Sequence, residues 1–237
     1  MAAFVLVHGA FQGGWVWKDV ARKLRSQGHE VHTPTFSGCG HLHHGAREGL
    51  GLHAYITDLC DYLHFEGLED VVLAAHSFAG MVLGAVMMRA PRLVGQAVFV
   101  DGVIPEAGRS FTDTAGDAFR HMLESHRAGP WKVRPWALPV FGVPEERAAW
   151  FKPRLCDFPV AAFLTPFPGE FDPTAVPAAY LSCRNTASPF IRAMALKARG
   201  LGWPVAELES GHCPMVTCPD ELAGHLDALA APRKAAA

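Results

Sequence analysis

Short apolar runs alternate with longer amphipathic stretches through the first hundred residues. The runs "FVLVHG" (4–9), "HEVHTP" (29–34), "DVVLAA" (70–75) and "AVFVDG" (97–102) are rich in β-branched residues and bounded by Gly, Pro or Asp, and they read as strands. Between them, residues 15–27, 53–66 and 78–90 carry apolar side chains at helical spacing, as with Tyr55, Ile56, Leu59, Tyr62 and Leu63. Strands alternating with helices predict right-handed crossovers and a mostly parallel α/β sheet. From about Ile104 to Pro177 the alternation stops, and prolines and aromatic residues gather in short helical pieces. It resumes with "AAYLSC" (178–183), a helix near 189–200, "PVAELE" (204–209) and a helix opening at Pro219. Pro at the first helical position followed by Asp220 and Glu221 is a good N-terminal signature. The expected organisation is a core of 1–103 and 178–231, a lid inserted at 104–177, and a disordered tail at 232–237.

Composition narrows the function classes. The 237 residues suit one α/β domain, and half of them are hydrophobic. The formal net charge is −2 with both signs interspersed, so no basic stripe argues for nucleic acid. No apolar run approaches the roughly 18 residues that span a bilayer, and no leader pattern precedes "FVLVHG". A cytoplasmic protein off the membrane is the expectation, with a homodimer left open. The six cysteines are scattered through core-like segments. Cys213 and Cys218 have a spacing that could close a disulfide, but the cytoplasmic reading favours buried thiols.

In an open parallel sheet, ligands bind beyond the carboxyl ends of the strands. Four positions there carry chemistry: His8-Gly9-Ala10, Ser77, Asp101 and Gly211-His212. They place serine, acid and histidine in the chain order Ser…Asp…His. The stretch "LAAHSFAGM" (73–81) has alanines, Ala75 and Ala79, where a nucleophile elbow usually has glycines. Alanine is still small enough for strand and helix backbones to meet, whereas an ordinary helix-capping serine is the plainer alternative. His212, in the turn "SGHCPM", is positioned to take the proton of Ser77, and His76 is expected to pack beneath the elbow.

The stretches "HGAFQGGWVW", "AHSFAGMV" and "GHCPMVTCPDELA" resemble the methylesterase, salicylate-esterase and hydroxynitrile-lyase branch of the α/β-hydrolase family. The segment "TFSGCGHLHHGAREGLGLHAYITDL" is similar to the one that precedes the elbow strand in its bacterial esterases. The resemblance implies the α/β-hydrolase fold, with about six mostly parallel strands, helices on both faces and a lid after the post-elbow strand. It also implies an oxyanion hole from the backbone N–H groups of Ala10 and Phe78, with neither cofactor nor metal. The histidines of "GHLHH" (40–44) read as a loop, since no carboxylate completes a ligand set there.

The family's usual acid follows the strand "AAYLSC", yet here that segment reads "CRNTASPF" and holds no carboxylate. Asp101 is therefore the expected acid. Asn185 is the alternative third member as a neutral orienter, and Asp172 stands behind both. The expected activity is a serine hydrolase that cleaves a small-molecule ester with an apolar or aromatic acyl part through an acyl-enzyme. Phe11, Trp131, Trp136 and Trp150 are expected in the substrate pocket. The alternatives are a cofactor-free oxygenase or hydroxynitrile lyase of the same fold, or a ligand-binding pseudo-hydrolase. Gly9 and Cys213 argue against the lyase, because lyases of this type have Thr and Lys at those places.

Overall fold

The run Val71–His76 is buried at all six positions, which a strand achieves only when both faces of its sheet are covered. The computed structural model describes residues 1–230, so the tail expected at 232–237 lies outside the described residues. In chain order the strands are β1 (Ala3–Val7), β2 (Glu30–His32), β3 (Val71–His76), β4 (Val94–Val100), β5 (Lys132–Val133), β6 (Phe158–Pro159), β7 (Ala178–Cys183) and β8 (Val205–Leu208). Six of them form one sheet in the order β2-β1-β3-β4-β7-β8, with every pairing parallel.

Helices α1 (Lys18–Ser26), α2 (Leu52–Phe65) and α3 (Ala79–Arg89) connect the first four strands. After β4 come five short helices, α4 (Phe111–Ala115), α5 (Asp117–Ser125), α6 (Leu138–Phe141), α7 (Ala148–Phe151) and α8 (Val160–Leu164). The chain then closes with α9 (Pro189–Gly200), α10 (Pro214–Thr217) and α11 (Pro219–Ala230). α1 packs on α11, α2 packs on α3, and both α3 and α11 lie against β3 and β4. α3 is buried from Ala79 through Met87, because it is enclosed by the sheet on one side and by α2 and the insertion on the other. No helix among the described residues is long and apolar enough to cross a membrane.

Two details differ from the sequence expectation. The helix expected over 15–27 begins as a 3-10 turn, Gly14–Trp17, before α1. The insertion, expected as a lid of short helical pieces, also holds the antiparallel β5–β6 ribbon. Two residues per strand are too few to leave a periodic signal. The insertion lies over the carboxyl ends of the sheet through ring contacts. Phe11 meets Trp136 and Phe141, and Phe78 meets Phe111, Phe158 and Phe163.

β1 ends at a buried histidine. The His8 Nδ1–H donates to the Gly9 carbonyl at 2.7 Å, and Nε2 accepts the Phe36 N–H at 3.1 Å. Burial lowers its pKa from 6.5 to about 4, so the ring is neutral and its tautomer is set by these two bonds. In the same region Gly80 opens the first turn of α3 against the chain that leaves β4. A Cβ there would sit 2.3 Å from the Val103 carbonyl oxygen.

Two outcomes follow from this packing. Gly80→Ala should destabilise by roughly 1–3 kcal/mol through overpacking. Gly224→Ala, in an exposed turn of α11 with nothing within 4 Å, should stabilise by roughly 0.5–1 kcal/mol. Urea melts of both variants measure the contrast. For His8, the unfolded state gains a proton as pH falls below 6.5 while the folded state resists it until about 4. Stability should therefore fall across that window, with a full effect of about 3 kcal/mol. Melts between pH 7 and 4 should show a shallower loss in His8→Gln than in the wild type, and equal slopes would count against the assignment.

Candidate active site

Ser77 follows β3 directly and adopts φ 56, a left-handed conformation that costs a non-glycine residue roughly 1–2 kcal/mol. Three backbone bonds hold it there. Its N–H donates to Val100 O at 3.3 Å, and its carbonyl accepts from Gly80 N–H at 3.1 Å and Val103 N–H at 3.0 Å. Ala75 and Ala79 are both fully buried beside the turn. Their methyl groups fit where the usual glycines have none. The turn lifts the hydroxyl out of the sheet at the start of α3.

The register of β3 against β4 pairs His76 with Val100, so the next residue of each strand, Ser77 and Asp101, emerges at the same end. Asp101 is fully buried and also left-handed, at φ 44. Its Oδ1 accepts the Cys183 N–H at 3.0 Å, and its Oδ2 accepts the Thr186 hydroxyl. The same Oδ2 takes the Nδ1–H of His212 at 2.7 Å, and His212 Nε2 lies 2.9 Å from Ser77 Oγ. Serine, imidazole and carboxylate thus form one hydrogen-bonded line. Asn185 is exposed, and its backbone N–H donates to the Ser210 carbonyl at 3.0 Å. Asp172 is engaged with Thr174 at the surface.

Thr186 is the member of this cluster that sequence reasoning missed. It is a buried polar residue two positions after Arg184, in the segment that lacks a carboxylate. The Arg192 guanidinium donates to its carbonyl at 2.7 Å and ties it to α9. A threonine between exposed neighbours in "CRNTASP" is the only sequence trace of that role.

Ala10 and Phe78 lie on either side of the serine, at the loop after β1 and the start of α3. Among the described residues, neither backbone N–H has a protein acceptor. Phe11 adopts φ 68 between them and the insertion, and its carbonyl accepts the Cys156 N–H at 3.0 Å. Gln12 Nε2 donates to Cys213 Sγ at 3.3 Å, joining this loop to the one that carries His212. Burial raises the pKa of the Cys213 thiol, so it stays protonated, and all six cysteines are free.

Beside Ser77 and His212 is a cavity of about 70 Å³, walled mainly by Phe11, Phe111, Phe119, Trp136, Phe141 and Phe190. Of the four aromatic residues expected around a substrate, Phe11 and Trp136 line this cavity and Trp131 and Trp150 do not. Trp131 lines a separate surface groove with His41 and His43. Trp150 packs edge-on against Trp15, with the Arg147 and Arg154 guanidiniums 5.1 and 5.3 Å from its ring centre. Lys132 Nζ lies 5.6 Å from the Trp131 ring centre, and these cation–π contacts favour the outward placement of both Trp131 and Trp150. The 3-10 turn Gly40–Gly45 carries "GHLHH", and among the described residues no metal-binding group of His, Cys, Asp or Glu is present.

The insertion also touches the histidine loop backbone to backbone. Gly142 is left-handed at φ 63, and a Cβ on it would lie 2.5 Å from Gly211 Cα and 2.7 Å from His212 N. A Cβ on Gly211 would in turn lie 2.6 Å from Gly142 Cα. Only a glycine pair allows this approach.

The comparisons agree with this architecture. A model described as "Alpha/beta hydrolase family" matches residues 4–225. A carbendazim hydrolyzing esterase of Nocardioides sp. (strain SG-4G) is 32% identical over 97% of this chain and 100% of its own length. Polyneuridine aldehyde esterase of Rauvolfia serpentina is 34% identical over 46% of this chain, and the match spans 42% of that protein. Among solved structures, an extracellular alpha/beta-hydrolase from a Paenibacillus species superposes with a TM-score of 0.82 at 22% identity, covering 98% of this chain and all of that one. On the family match and the full-length relative together, the chain belongs to the alpha/beta hydrolase family.

Proposed function

We propose that this protein is a carboxylic ester hydrolase in which Ser77 is the nucleophile, His212 the general base and acid, and Asp101 the triad acid. The observation that carries the reading is the continuous line from Asp101 Oδ2 through His212 to Ser77 Oγ, at 2.7 and 2.9 Å. With Nδ1–H engaged by the carboxylate, Nε2 presents its lone pair to the serine hydroxyl. Ser77 Oγ attacks the ester carbonyl as its proton passes to His212 Nε2, and the tetrahedral oxyanion is received by the Ala10 and Phe78 N–H groups. Each such donor is worth on the order of 3 kcal/mol in the transition state. His212 then protonates the departing alkoxide, and water releases the acid from the acyl-enzyme by the same route in reverse.

The relatives support the ester class. The full-length match is named a carbendazim hydrolyzing esterase, and the part-length plant matches include polyneuridine aldehyde esterase and methyl jasmonate esterase 1. The aromatic cavity supports an apolar or aromatic acyl group, with the insertion acting as its lid. Its volume of about 70 Å³ is well below the roughly 300–1,000 Å³ of drug-sized sites, which favours a small acyl group.

Three expected results test the assignment. A fluorophosphonate probe should label the wild type and leave Ser77→Ala unlabelled, with turnover lost and the fold intact; persistent labelling of the variant moves the nucleophile elsewhere. Asp101→Asn should lower kcat by up to about ten-thousandfold, while Asn185→Ala, at an exposed side chain with no hydrogen bond to the imidazole, should stay within a fewfold of wild type. Across p-nitrophenyl esters, kcat/KM should rise from acetate to butyrate by up to about fourfold per methylene. Trp136→Ala should move that optimum to longer chains, and a flat profile in both proteins would remove the acyl-pocket assignment.

A further inference from the structure

His76 stands beside the nucleophile, is almost completely buried, and has no part in the chemistry above. Its Nε2–H donates to the backbone carbonyl of His212 at 2.6 Å, across 136 positions of chain. The two imidazoles lie with ring centres 4.7 Å apart. Its Nδ1 has no hydrogen-bond partner among the described residues. That nitrogen faces Gly9, where a Cβ would come within 2.9 Å of it. A neutral ring with its single proton on Nε2 matches this surrounding: one nitrogen donates, and the other carries no proton and needs no acceptor. Burial and the neighbouring His212 push the pKa of His76 well below the ordinary histidine value, so the ring remains neutral beside a charged partner.

We propose that His76 is a positioning residue that holds the catalytic histidine over Ser77 by its main chain. The inference rests on the serine-hydrolase reading of the site. Its physical basis is that both side-chain bonds of His212 change during turnover. The bond to Ser77 Oγ is lost once that oxygen carries an acyl group, and the bond to Asp101 strengthens whenever the imidazole is protonated. The bond from His76 goes instead to the backbone carbonyl, and it comes from the last residue of the elbow's own strand. It is therefore present in the free enzyme, the acyl-enzyme and both tetrahedral states. On the other side of the loop, Gly142 closes against His212 N, so the backbone at His212 is held between β3 and the insertion. A displacement of about 1 Å at a reacting group can cost about a hundredfold in rate, which sets the scale for losing this bond.

Two substitutions separate positioning from space filling. His76→Phe keeps a ring of similar volume and removes the donor, whereas His76→Gln keeps an N–H of comparable reach and removes the ring. We expect kcat to fall about 10- to 100-fold in His76→Phe, with KM within about twofold and a parallel fall in the rate of Ser77 labelling by a fluorophosphonate. His76→Gln should recover most of that loss. If His76→Phe stays active while His76→Gln does not, the ring only fills space and the proposal fails. A second measurement needs no substitution. In ¹⁵N spectra of the wild type, His76 should be the neutral Nε2–H tautomer both before and after Ser77 is phosphonylated. Protonation of His76, the other tautomer, or loss of that proton's protection on phosphonylation would overturn the role. Failure of the wild type to label at Ser77 would instead strike the hydrolase reading, while the tautomer would still report on His76.

Discussion

A single residue in an unfavourable backbone conformation sets the layout of this protein. Ser77 must be left-handed if its hydroxyl is to leave the sheet at the point where β3 becomes α3. The chain secures that conformation by surrounding it with small residues and by bonding both of its peptide groups. Val100, Gly80 and Val103 supply the partners, and they come from the neighbouring strand, the following helix and the chain that enters the insertion. The strain is thus distributed over three segments that the sheet already holds together, and the serine inherits their rigidity. Asp101 repeats the device one strand away, with a second left-handed residue at the end of β4.

Much of this is legible in the sequence because it is local. Strand and helix periodicity reads the sheet, since each buried strand is a short β-branched run. The small residues around Ser77 read the elbow even without its glycines. Asp101 could be singled out because it ends the strand after the elbow strand and because "CRNTASP" has no charge to offer. Other features depend on distances that no local pattern encodes. The contact of Thr186 with Asp101 joins residues 85 positions apart. The aromatic residues of the insertion are alike in composition, yet Trp136 faces the cavity while Trp131 and Trp150 are held outside by cationic neighbours. Composition identifies an aromatic insertion; it cannot say which rings turn inward.

Three histidines converge on the site, and their environments divide the work. His8 and His76 are buried without a carboxylate, and burial keeps both neutral. His212 alone has a carboxylate on one nitrogen and the Ser77 hydroxyl on the other. A charge can therefore be accommodated at only one of the three rings. The two neutral rings act as fixed dipoles: His8 ties the loop after β1 to the chain after β2, and His76 ties the loop after β8 to the elbow. Their insensitivity to protonation around neutral pH keeps the support of the third ring in place.

The meeting of Gly142 with Gly211 bears on how such an enzyme can be altered. Insertions of this kind look like exchangeable modules, since they enter and leave the core within one connection. Here the insertion reaches the core at the residue immediately before His212, in a contact that tolerates no side chain on either partner. Grafting a foreign cap without a glycine at that point would displace the histidine loop before any substrate arrived. The insertion and the histidine loop are consequently inherited together, and this family member accommodates change more readily at the rings that wall its cavity than by replacement of the whole insertion.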